Sequence, residues 1–67
     1  MSVSKEYAES MAADAAKWWA NIPPQRKLML TGAATFEEAD KRFNLISVAS
    51  RSALMHGNIQ TIADFNW

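Results

Sequence analysis

Two consecutive prolines, Pro23 and Pro24, divide this chain before its midpoint. Proline fixes its own φ, lacks an amide donor and drives the preceding residue out of helical geometry. Any helix upstream must therefore end by Ile22. Pro24, by contrast, suits the first turn of a new helix. Upstream, "YAESMAADAAKWWA" is rich in alanine, the strongest helix former. A first helix is expected over about 4–21, capped by Ser2 or Ser4, with Glu6 and Glu9 at its positive end and Lys17 near its negative end. Downstream, "QRKLML" continues a short helix over about 24–31, which turns Leu28 and either Met29 or Leu30 inward. Gly32 reads as the residue past its end.

Thr35 and Glu38 then form a capping-box pattern that opens a third helix, expected over 36–56 with Gly57 ending it. Glu37–Lys41 and Glu38–Arg42 are i,i+4 pairs in the favourable order, each contributing about 0.2–0.5 kcal/mol. Phe36, Ala39, Phe43, Ile46 and Ala53 make its core stripe, and Leu45, Val48, Ala49 and Met55 a second one. "NLISVASRS" carries no proline or glycine to interrupt it. In the tail, "NIQTIADFNW", Ile59, Ile62 and Ala63 fit a short helix capped by Asn58. Ile59, Thr61, Ala63, Phe65 and Trp67 equally fit a strand. With no second strand to pair with, a short helix followed by an extended end is expected. The fold is thus all-α: one domain, 1–67, with helices of about 27 and 32 Å packed antiparallel, a short helix between them and the tail across one end.

A core this small usually needs a disulfide, a metal or oligomerisation. The 67 residues include no cysteine and a single histidine, His56, which removes disulfides, zinc–thiolate sites and thiol nucleophiles together. No metal or cofactor is expected, and association with a partner or a second copy becomes the remaining remedy. Seven basic and seven acidic residues balance, so the chain lacks the long-range field of a dedicated nucleic-acid binder. Charged residues interrupt the start, and no apolar run approaches the roughly 20 residues that span a bilayer. The expected location is cytoplasmic.

The side-by-side tryptophans give the sharpest functional clue. On a helix, neighbours point about 100° apart. Trp18 continues the line Tyr7, Met11, Ala15 and on to Ile22, which assigns it to the core. Trp19 continues Ala8, Ala12 and Ala16, a face of small residues open to close approach; the plainer alternative sets it at the edge of one broad apolar arc. Ala49, Ala53 and Gly57, spaced by four, permit close packing between helices. Arg26 and Lys27 make the one local basic excess. Phe65 and Trp67 form an aromatic tail that must dock on the chain's own core or on something else.

Two further patterns concern the stretch from Thr35 to Gly57. "TFEEADKRFNLISVASRSALMHG" can be read as a helix-turn-helix with Arg51 as its reading residue, but Asp40 then falls at the buried position and Asn44 where glycine is usual. Ser50 and Ser52 lie near His56 in sequence, yet neither has the strained-turn context that would mark a nucleophile. The expectation is therefore a non-enzymatic protein that binds another protein, or itself as a homodimer, in fixed stoichiometry: a regulator, inhibitor or adaptor. Its expected contact residues are Trp19, Ala12, Ala16, Arg26, Lys27, Phe65 and Trp67. Small helical proteins of this kind are common among phages and other mobile elements, an expectation from size alone. A DNA-binding regulator and a structural subunit of a larger assembly are the alternatives.

Overall fold

A computed structural model describes residues 4–67, and within them the fold is all-α. Four helices follow one another: α1 (Lys5–Asn21), α2 (Pro24–Thr31), α3 (Phe36–Leu45) and α4 (Val48–Met55). Among the described residues no helix is long and apolar enough to cross a membrane.

The ends of α1 and α2 follow from the expected chemistry. Ser4 Oγ accepts the amide of Tyr7 at 3.2 Å, closing the start of α1; Ser2, the other candidate cap, lies outside the described residues. Ile22 and Pro23 are both extended, and Pro24 occupies the first turn of α2. Gly32 adopts the left-handed conformation at φ 67°, and its amide donates to the Leu28 carbonyl at 2.8 Å. Thr35 Oγ1 caps α3 by accepting the Glu38 amide at 3.1 Å. The return half of the capping box is not made, because the Glu38 carboxylate turns instead to Arg42 at 2.9 Å. Of the two expected i,i+4 pairs, Glu38–Arg42 is formed and Glu37–Lys41 is not.

The expected third helix over 36–56 is broken in two. Ile46 and Ser47 are extended, with ψ of 161° and 158°. Ser47 Oγ accepts the Ser50 amide at 3.1 Å and so starts α4, a local bond that competes with helix propagation. Arg51 Nε reaches back to the Ile46 carbonyl at 3.1 Å, satisfying an acceptor freed at the end of α3. The break buries Ile46 and lets the halves part: α4 packs against α1, and α3 against α2. Ser47→Ala removes the cap and should cost about 1 kcal/mol, read as a lowered urea midpoint at unchanged slope.

Where the two helix pairs meet, Trp19 lies against Phe43, the rings nearly parallel at 8° with centroids 4.2 Å apart. This reverses the sequence-based assignment of the tryptophans. Trp19 is 7% exposed and Trp18 is only partly buried. Stepping 100° per residue, Ala8, Ala15, Trp19 and Ile22 fall within about 60° of one another, and Trp18 lies about 40° outside that arc. The buried arc is centred on Ala15 and Trp19, so Tyr7, expected inside, is 59% exposed. Phe36 and Leu45, also expected inside, are exposed, while Ala33, Ala39, Phe43, Ile46, Leu54 and Ile62 complete the core. In α2, Leu28 and Leu30 pack inward and Met29 points out.

The expected short helix in the tail does not form. Gly57, at φ 80°, turns the chain back, and the amides of Asn58 and Ile59 close onto the Ala53 carbonyl at 2.9 and 3.2 Å. The following segment takes its hydrogen bonds from α2 instead. The Ile62 amide and Thr61 Oγ1 both donate to the Leu30 carbonyl, at 2.8 and 3.0 Å, which seats Ile62 in the core.

Candidate contact surface

Arg42 organises the outer side of α3. One end of its guanidinium, Nη1, donates to the Thr31 carbonyl at 2.9 Å, and Nη2 donates to Glu38 Oε1 at 2.9 Å. The same group lies 5.2 Å from the centre of the Trp67 ring, a cation–π arrangement. Trp67 Nε1 in turn donates to the Ile62 carbonyl at 3.0 Å, and its ring stacks beside Phe65 with centroids 6.1 Å apart. The aromatic tail is therefore fastened to α3 through its polar edge and one face. Its remaining surface stays in water.

On α3 itself, Ala39 and Phe43 point into the core, whereas Glu38, Lys41 and Leu45 lie on the opposite side of the helix. Together with Trp67 they line an open depression of about 500 Å³ that also includes Thr35, Glu37 and Arg42. Leu45 is 65% exposed and Trp67 43% exposed. Leu45 thus leaves a large apolar side chain in water at the end of a charged helix side. Sequence reasoning missed Leu45 because a continuous helix over 36–56 placed it in line with Val48 and Met55; the break at Ile46–Ser47 cancels that phase relation.

The expected contact residues are scattered. Trp19 faces inward, with Nε1 donating to Asp40 Oδ1 at 2.8 Å and Lys27 Nζ 5.4 Å from its ring centre. Lys27 is thus drawn onto the core's aromatic edge and does not pair with Arg26 as a basic corner. Arg26 is exposed beside a second depression, which Pro23, Met29 and Thr61 also line. Ala12 is half-buried and Ala16 exposed, so the alanine line is split between core edge and solvent. Of the expected contact residues Trp67 alone lines the surface on α3, with Phe65 stacked beside it.

A helix-turn-helix needs two helices parted by a short turn, and α3 and α4 are so parted at Ile46–Ser47. Asp40, which that reading buried, is exposed with the Trp19 indole as its partner, and Arg51 spends Nε on the end of α3. His56 Nδ1 lies 2.9 Å from the Ser52 carbonyl oxygen and 3.4 Å from Ser52 Oγ. Ser50 Oγ is engaged by Ser47 Oγ at 2.9 Å.

Searches against protein-family models, curated proteins and solved structures return no match to this chain. The functional reading therefore starts from this surface alone.

Proposed function

We propose that this protein acts by stoichiometric binding to protein, not by catalysis, through the outer side of α3 and the tail fastened to it. In this reading it is a small cytoplasmic regulator, inhibitor or adaptor. The observation that carries the proposal is the pair Leu45 and Trp67, large apolar side chains left 65% and 43% exposed on the rim of one groove. Tryptophan is enriched among residues that dominate binding energy, and apolar groups ringed by charge match the usual pattern of anchors within a polar rim. Arg42 and the Ile62 carbonyl already hold the Trp67 ring, so little side-chain freedom remains to be lost on binding.

A photo-crosslinking amino acid placed at position 45, and separately at position 7, tests the reading in the source cell. Tyr7 is similarly exposed, at 59%, but lies on α1. Discrete protein adducts are expected from position 45 and not from position 7. If position 45 gives no adduct above the level at position 7, the α3 surface is not a binding surface and the proposal fails.

A further inference from the structure

Along its outer side, α3 runs acid, acid, base, base, leucine: Glu37, Glu38, Lys41, Arg42, Leu45. A helix side whose first half is acidic and second half basic is complementary to itself when reversed. We propose that the occupant of this groove is a second copy of the same chain, its α3 lying antiparallel across a two-fold axis. The inference rests on the reading of α3 as the contact surface and names its partner.

With the axis at the level of Ala39, Glu37 of each copy falls opposite Lys41 of the other, and the two pairs form together because the symmetry makes the contact self-complementary. These two residues make no ion pair among the described residues, unlike Glu38 and Arg42, which hold each other. A foreign partner would need the matching charge order by separate design, whereas a second copy carries it already. Opposed helix directions also set the negative end of one α3 beside the positive end of the other. The balanced total, seven basic against seven acidic residues, leaves no net repulsion between copies. Beyond the charged rows, Leu45 of each copy reaches past the start of the other α3, over the exposed Ala34–Thr35 corner. The ten residues of α3 span about 15 Å, so the contact belongs among small interfaces, below about 1,200 Å², and the dimer is weak and concentration-dependent.

Sedimentation equilibrium of the full chain over a concentration series tests this directly. A monomer–dimer equilibrium weakened by salt is expected. Glu37→Lys and Lys41→Glu each place like charges in register twice per dimer and should weaken association at least about tenfold. Both side chains are exposed and outside the core, so far-ultraviolet circular dichroism should be unchanged. An equimolar mixture of the two variants restores opposite charges and should recover a heterodimer of near wild-type affinity. A wild-type chain that sediments as a monomer up to about 1 mM would overturn the proposal. So would variants that associate like the wild type, or a mixture that recovers nothing. A monomeric chain that still crosslinks a different protein from position 45 removes the second copy and leaves protein binding standing; no adduct at all removes both.

Discussion

Trp19→Ala should lose about 3–5 kcal/mol of stability, the range for deleting a large aromatic from a packed core. At about 0.05–0.15 kcal/mol per residue, a chain of this length has only about 3–10 kcal/mol to lose. The variant should therefore be largely unfolded near physiological temperature, seen as collapse of the helical circular dichroism signal. Three contacts on two other helices depend on that side chain at once. Its ring stacks on Phe43 of α3, its indole N–H is held by Asp40, and Lys27 of α2 lies against its face. Trp18 provides the internal comparison: partly buried, with its ring 6.2 Å from both Trp19 and Phe43, it should cost clearly less when truncated. Equal losses at the two positions, or a Trp19→Ala chain within about 1 kcal/mol of wild type, would contradict the packing described above. Trp19→Glu should unfold the chain as well, where a surface tryptophan would have tolerated the change with its helices intact.

That reversal shows what the sequence holds and what it withholds. Helix ends governed by a single local interaction were legible: Ser4 at the start of α1, Pro23 after it, Gly32 after α2 and Thr35 before α3. Each is set by the residue's own chemistry and its nearest neighbours. The rotational centre of the α1 core is different in kind. Tyr7, Met11, Ala15, Trp18 and Ile22 form as good a line as Ala8, Ala15, Trp19 and Ile22, and the choice between them is made by where α3 and α4 lie. A stripe read alone has an uncertainty of tens of degrees, enough to exchange two adjacent tryptophans.

The break before α4 was legible only in part. Ser47 with Ser50 three residues on is an acceptable cap, but serine inside a helix is common enough that the absence of proline or glycine argued for continuity. What tipped the balance is tertiary: breaking there buries Ile46 and frees α4 to pack on α1 while α3 stays with α2. The contact surface inherits this. Phe65 and Trp67 stood out from composition and position, while Leu45 became visible only once the helix was known to stop at it. The charge order along α3 could be read from the first; that those residues share a water-facing side could not.

Gly32→Ala should also be strongly damaging for so small a change, at about 2–5 kcal/mol. One part is conformational, since a residue with a Cβ held at φ 67° costs about 1–2 kcal/mol in the left-handed region. The other part is steric. A Cβ at position 32 would sit 2.7 Å from the Ala63 Cβ and 3.3 Å from its Cα, so the tail backbone itself would have to shift, at about 1–3 kcal/mol for an overpacked contact. Gly57 separates the two parts. It too has positive φ, at 80°, but a Cβ there meets nothing within 4 Å, and Gly57→Ala should lose only the conformational part. The difference between the two midpoints in urea therefore measures how firmly the tail rests on the end of α2. It also reaches the surface: Ala63 lies between Ile62, seated in the core, and Trp67, seated on Arg42, so displacing it loosens the aromatic rim of the α3 groove. Were Gly32→Ala to match Gly57→Ala, the tail would not be packed on α2, and Trp67 would lose its place beside Leu45.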